Sequence, residues 1–384
     1  MRKHIIFTIY LLLLVAIFCS CKHKDFSDEE YIAFAKNIEK SILDGNATLM
    51  NQAFDYNGFC KFVLSDLHLN KQEWQAAEDM LKGEISPGDT KVEAVKNGGD
   101  FMFLKFYRKD NLARAIFRLY YQGGISIEEY ELKVVNGEIK IEDVFIVNSG
   151  VKWSENYRFE IAVKFNILNE EIANTNKLLV AKSYIENDEL EKADSLLLYL
   201  LPQEQTNLYA RVLDLKLATY LYDYDEFEDY AAKFKQDFSD EERIADFFLI
   251  HSALSNGLVE ETQNNVVSLS EKCGFDPIYY LYISQVFFNV EAYDYALQML
   301  DSAITYMPGV FDLYVEKMDI FYTLKDYQRL TETIFEVDKL FLPMPEDVES
   351  YSNHFAEAVS SPYFQEWIAQ RQSMNYNHIA SENH

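Results

Sequence analysis

The chain has 384 residues, 49% of them hydrophobic and 15% aromatic, with only 13 Gly and 7 Pro. That composition excludes a disordered, collagen-like or loop-rich disulfide protein, and the length allows two domains or one domain plus a repeat array. With 63 acidic and 35 basic residues the formal charge is −28, which opposes a phosphate backbone and excludes nucleic acid as a partner, while basic proteins stay open.

Met1 to His4 is a short basic start, and Ile5 to Phe18 is an apolar run. The run is shorter than the ~20 residues a membrane-spanning helix needs and has the form of a signal-peptide core. The Ser20-Cys21 pair that follows resembles the cleavage site of bacterial lipoproteins, in which a small residue precedes a cysteine that is lipidated and becomes the new amino terminus. The resemblance implies a signal peptide over 1–20, lipidation at Cys21 and a charged tether over 21–26. Phe18 departs from the Leu usual three residues before the cysteine, and Cys19, preceded by that bulky Phe18, is the rival site. Lys22 in place of Asp after the cysteine implies, by the same likeness, the outer membrane of a Gram-negative cell, facing either periplasm or surface. Several acyl chains, each contributing ~0.8 kcal/mol per buried methylene, would make that attachment effectively permanent.

Residues 27–165 read as an α+β domain. Ser27-Asp28-Glu29-Glu30 is a capping box ahead of a helix to about Leu43, stopped by Asp44-Gly45-Asn46. Ala47 to Leu67 predicts one or two shorter helices, and Lys71 to Lys82 a further amphipathic one. Short runs of β-branched and aromatic residues then predict strands over Lys91–Lys96, Asp100–Arg108, Ala113–Tyr121, Ile125–Val135 and Glu138–Val147. Asn97-Gly98, Gly123-Gly124 and Asn136-Gly137 fall between them as tight-turn pairs, so the sheet is an antiparallel meander. Three helices followed by a meander resemble the cone-shaped superfamily of nuclear transport factor two and ketosteroid isomerase. The resemblance implies a curved sheet wrapping a helix around an apolar cavity. Asp66, His68, Trp74, Asp79 and Tyr107 are the nearest candidates for acid–base or oxyanion work there, yet helix-end and core roles account for them, and no catalytic residue is assigned.

Lys152 to Phe165 reads as a link with one more strand over Tyr157–Phe165. From residue 170 to 372 the pattern is helical throughout, and a 34-residue period emerges. Tyr280, Ile283, Ser284 and Phe287, then Ala296, Leu300, Ala303 and Pro308, match the large, small and terminating positions of the tetratricopeptide repeat, to which this segment is similar. Tyr314, Met318, Phe321, Leu330, Ile334 and Val337 make a degenerate copy with Pro343 displaced, and Val180, Ala181, Tyr184, Ala193, Leu197 and Leu200 an earlier one. Looser hairpins fall at Leu208–Tyr222 with Glu226–Phe238, and at Glu241–Asn256 with Glu260–Cys273, and Ser239-x-x-Glu242 is a further capping box. Five hairpins, a capping helix near 346–360 and a short helix near 362–371 are expected, with a frayed tail over 373–384. The fold class is thus an α+β domain of helices and a curved antiparallel sheet followed by an all-α helical-repeat solenoid.

The chain lacks a Gly-rich phosphate loop, His-Glu-x-x-His, Gly-x-Ser-x-Gly and paired Cys-x-x-Cys, so neither an enzyme nor a metal or other cofactor is expected. The acidic cluster Asp223, Asp225, Glu226 and Glu228 loosely resembles a calcium loop but has no Gly at the turn and reads as a solvated helix junction. Cys60 and Cys273 read as buried thiols. Tyrosines crowd the repeats, and Tyr222, Tyr224, Tyr279 and Tyr282 are the candidate partner-binding residues. The favoured function is a membrane-anchored adaptor for a protein partner; small-molecule binding or isomerisation in the amino-terminal domain, and glycan capture at the cell surface, are the alternatives.

Overall fold

The structure, a computed structural model, describes residues 26–381 apart from 168–169, 203, 205 and 342–346; the side chains described also exclude 170, 171, 347 and 373–381. Cys19, Cys21 and Pro343 lie outside the described residues. Ser27 caps the first helix, α1 (Asp28–Leu43), its Oγ accepting from Glu30 N–H while Glu30 accepts from Ser27 N–H at 2.8 Å. Tyr31, Ala35, Ile38 and Ile42 form its buried stripe. Four short helices follow: α2 (Thr48–Ala53), α3 (Tyr56–Leu64), α4 (Lys71–Glu84) and α5 (Pro87–Lys96). The last corrects the strand expected over Lys91–Lys96. Pro87 at the first helical position presets the backbone, and Val92 and Ala94 pack inward from a helix although valines favour strands in isolation.

Five antiparallel strands, β1 (Asp100–Lys109), β2 (Leu112–Tyr121), β3 (Gly124–Val135), β4 (Glu138–Ile146) and the short β5 (Val151–Lys152), lie in sequence order. Asn136 and Gly137 both have positive φ, as the β3–β4 turn requires; the β2–β3 turn falls on Gln122-Gly123, one residue earlier than expected. Alternation sends Ala113, Ala115 and Phe117 of β2 into a core with the amino-terminal helices, and Ile116 and Tyr120 into a core with the carboxy-terminal ones. On the first side Phe101 packs on Phe117, and Phe117 on Tyr130, at about 5 Å between ring centres. The strand expected over Tyr157–Phe165 is instead part of helix α6 (Trp153–Lys164), whose Glu155 accepts from Lys152 N–H at 3.1 Å.

Five helical hairpins then follow one another: α7 (Glu170–Glu186) with α8 (Leu190–Leu200), α9 (Leu208–Leu221) with α10 (Tyr224–Asp237), α11 (Glu242–Ser255) with α12 (Val259–Cys273), α13 (Tyr279–Asn289) with α14 (Tyr293–Tyr306), and α15 (Phe311–Thr323) with α16 (Tyr327–Leu340). The first helices of the first four hairpins pack on one another in series, so each hairpin buries what its neighbour exposes. The turns within four hairpins share one device. Asp188, Gly257, Glu291 and Lys325 adopt left-handed φ, and paired bonds such as Glu291 N to Phe288 O and Ala292 N to Phe287 O close each helix end in a Schellman pattern. Gly257, Glu291 and Lys325 stand 34 residues apart, so the period read from side chains is also a period of backbone geometry.

The Ser239–Glu242 capping box does not form: Ser239–Glu241 is a single 3-10 turn, and Glu242 opens α11 with no side-chain cap. Helix α17 (Asp347–His354) precedes α18 (Pro362–Ser381), which runs past the Arg371 end read from the sequence. Ser284 and Ala296 are both buried where α13 and α14 meet, and Ser284 Oγ has no hydrogen-bond partner among the described residues. Ser284→Ala is therefore expected to raise stability by about 1 kcal/mol, read as a higher urea midpoint, since it deletes a buried unpaired hydroxyl and opens no cavity.

Candidate functional site

The sheet does not stand apart from the repeats. One hydrophobic core runs from Ile116, Tyr120, Ile127 and Phe145 of the sheet through Leu249, Tyr279, Leu300 and Tyr314 of the hairpins. Polar groups cross the same junction. Arg118, fully buried, donates from Nε to Asp276 at 3.1 Å and from Nη1 to Asp100 at 2.6 Å. Burial holds the Asp276 carboxyl above its usual range even beside that guanidinium. Glu129 of β3 accepts from Tyr107 and Arg243, and Arg114 Nη1 lies 3.0 Å from it. Burial pushes the Tyr107 hydroxyl up to about 12, and the neighbouring cations hold Glu129 below the usual carboxylate range against the opposing effect of its own burial. Tyr120 donates to Asp312 at 2.6 Å.

This junction pins the loop between α12 and α13. Gly274 has φ +97°, and a Cβ there would lie 2.5 Å from Leu104 O, so only glycine lets the loop approach β1 this closely. Lys105 Nζ donates to the carbonyls of Glu271 and Lys272 at 2.6 and 3.2 Å. With both sides of the loop fixed, Phe275 is held outward, 52% exposed, its ring 5.8 Å from Tyr280 and 6.1 Å from Tyr306, itself 56% exposed. Tyr280 and Tyr306 stack at 6.3 Å, and further along the same hairpin Phe287 stacks on Tyr295 at 5.4 Å. No periodicity argument singled out Phe275; the one signal in the sequence was the Gly274 that precedes it.

The candidate binding tyrosines divide. Tyr222 is exposed, its ring 5.8 Å from Tyr230. Tyr224, Tyr279 and Tyr282 are buried, which corrects their assignment to a surface: Tyr224 accepts from Asn265 Nδ2 at 3.0 Å, while Tyr279 and Tyr282 lie in the core that the sheet closes over α13. Tyr220, Tyr199 and Tyr295 are exposed instead. Asp66, His68 and Asp79 face solvent, Trp74 is partly buried against the amino-terminal core, and Tyr107 belongs to the sheet–repeat junction, so these five do not converge. Cys60 and Cys273 are buried free thiols, and burial raises both, Cys273 up to about 12. Asp223 caps α10 by accepting from Glu226 N–H, a helix start and not an ion loop. Among the described residues no group of three His, Cys, Asp or Glu side chains is placed to hold a metal, and no helix is long and apolar enough to cross a membrane.

A separate cleft of about 520 Å³ opens where β2 to β5 and α6 meet α7 and the start of α9. Gly150, at φ +67°, closes its rim: a Cβ there would come within 2.7 Å of Val212 on α9.

No protein-family model and no characterised protein matches this sequence. Among solved structures, one similar chain is a phospholipid-binding protein from Ralstonia solanacearum in complex with a phospholipid, with 14% identity over 33% of this chain and 78% of that one and a TM-score of 0.24. At that score the likeness bears on neither the fold nor the ligand of the present chain.

Proposed function

We infer that the chain is a non-enzymatic scaffold, anchored by lipid at Cys21 to the outer membrane, that holds a protein partner on its tetratricopeptide-like hairpins. The observation that carries this reading is the Phe275, Tyr280 and Tyr306 cluster: large rings, two of them more than half exposed, with Phe275 on a loop fixed by Gly274, Lys105 and Asp276 and the two tyrosines on the helices beside it. Rigid aromatic area with a hydrogen-bonding edge is what interaction hot spots use, because little side-chain entropy is lost on binding. The charge of −28 favours a partner with a basic surface and predicts salt-sensitive association.

The test is recovery of the full chain from solubilised envelopes. Wild type should bring down one reproducible partner, released at high salt, and Phe275→Ser with Tyr306→Ser should abolish that recovery without lowering the melting temperature. Cys21→Ala should shift the chain out of the membrane fraction. Unchanged recovery with the double variant would sink the assignment of this surface.

A further inference from the structure

A ring and a cation meet at one place in the helical repeat. Tyr184, Phe287 and Phe321 hold the same position on the first helix of the first, fourth and fifth hairpins, and the residue eight further on, near the start of the second helix, is Lys192, Tyr295 and Arg329 in turn. On the first hairpin Lys192 Nζ lies 5.4 Å from the centre of the Tyr184 ring, and on the fifth the Arg329 guanidinium lies 4.7 Å from that of Phe321. The quadrupole of the ring face holds such a cation. On the fourth hairpin a ring takes the cation's place, and Tyr295 stacks on Phe287 at 5.4 Å. The exchange recurs at the other end of the hairpin: Lys177 Nζ lies 5.3 Å from the centre of Tyr199, whereas its counterpart on α13 is Tyr280, stacked on Tyr306.

The fourth hairpin supplies no cation of its own. Between Cys273 and Lys317 the sequence holds neither Lys nor Arg, and among the described residues no cation lies over Phe275, Tyr280, Phe287, Tyr295 or Tyr306. Tyr295 and Tyr306 are 59% and 56% exposed, so their rings can be reached from outside. We propose that the ring pairs of α13 and α14 take arginine side chains of a protein partner, one guanidinium on Phe287 and Tyr295 and another on Tyr280, Tyr306 and Phe275. Arginine fits better than lysine because its planar, weakly hydrated head stacks on a ring face. Tyr280 and Phe287 stand two helical turns apart, about 10 Å. Three residues of extended chain at ~3.3 Å each cover that span, so the matching segment is extended with arginines three residues apart. The proposal deepens the scaffold reading and rests on it for the use of this face to hold a protein.

Fluorescence anisotropy of the purified full chain with three labelled peptides tests it: a capped Gly-Ser peptide with arginine at every third position, and the same peptide with lysine or with citrulline, which keeps the shape of arginine without its charge. The arginine peptide should bind about threefold more tightly than the lysine one and about tenfold more tightly than the citrulline one. Tyr295→Arg puts the chain's own cation beside Phe287, as Arg329 lies over Phe321, and should weaken the arginine peptide about fivefold. Tyr220→Arg adds the same charge at an exposed ring on α9 and should change the affinity by less than about twofold, which separates ring occupancy from net charge. The proposal is overturned if the citrulline peptide matches the arginine one, if Tyr295→Arg acts no more strongly than Tyr220→Arg, or if no arginine-peptide binding is seen at millimolar concentration. Should Tyr295→Arg lower the melting temperature, Tyr295→Ser decides, with a loss of about threefold expected and an unchanged affinity overturning the proposal. Envelope recovery that depends on Phe275 and Tyr306 without any arginine-peptide binding overturns this chemistry and leaves the scaffold reading standing. Peptide binding lost in Tyr295→Arg upholds the chemistry even where no envelope partner is recovered, and the scaffold reading alone then falls.

Discussion

Arg118→Met is expected to cost about 3–5 kcal/mol, read from the urea midpoint with helical and aromatic signals followed together. The guanidinium has no exposure, and neither has Asp276, so its removal strands a carboxylate in the core between β2 and the α12–α13 loop. Asp100 loses a 2.6 Å partner at the same time, and the Met102 and Met307 sulfurs that surround the guanidinium cannot replace it. Arg118→Met combined with Asp276→Asn should recover part of the loss, because the second change removes the unpaired charge. A double variant no more stable than the single one would mean that the lost energy comes from packing. Both signals should also shift together, since a single apolar core joins sheet and hairpins.

The second large effect is a loss of stability in mild acid traceable to His251. Its ring lies 4.6 Å from Phe247 and 5.5 Å from Tyr282, and burial depresses it from an ordinary value near 6.5 to about 4. Above pH 6.5 the ring is neutral in both folded and unfolded chains and contributes no slope. Between about 6.5 and 4 the unfolded chain takes up a proton that the native ring refuses. Stability therefore falls by about 1.4 kcal/mol per pH unit, reaching on the order of 2–3 kcal/mol at the lower end. Asp143, Asp214 and Glu316 have carboxyls raised by burial and act oppositely, gaining native stability as pH falls. Comparison with His251→Phe separates the two, because the carboxyls are common to both proteins. The variant should lose this component of the acid slope, and parallel curves for the two proteins would refute the assignment.

The helical hairpins were legible because their apolar residues recur with a strong period and their turns are short. Two elements were misread for a common reason. Tyr157, Phe159, Ile161, Val163 and Phe165 alternate perfectly, which is a strand pattern, yet Val163 is half exposed and Ile161 and Ala162 are the buried pair of a helix packed on α3. Val92 and Val95 likewise favour strands over a few residues, and the packing of α5 on α1 and α2 overrides that preference. The tyrosines failed differently. Helical spacing identifies which residues share a face, but not whether another part of the chain covers that face, and the sheet covers the face bearing Tyr279 and Tyr282.

What the sequence determined alone was local and periodic: the Ser27 cap, the Asn136-Gly137 turn, the four-strand meander and the 34-residue spacing of the later hairpins. Each rests on residues near one another in the chain, where backbone preference and hydrophobic spacing act directly. The tertiary structure decided the sheet–repeat junction, the outward Phe275 cluster and the cleft between the sheet and the first hairpins. Arg118 meets Asp276, and Glu129 meets Arg243, across more than a hundred residues of chain. Such pairs are selected by the burial of charge between layers, and that burial exists only once both faces of the sheet have been covered.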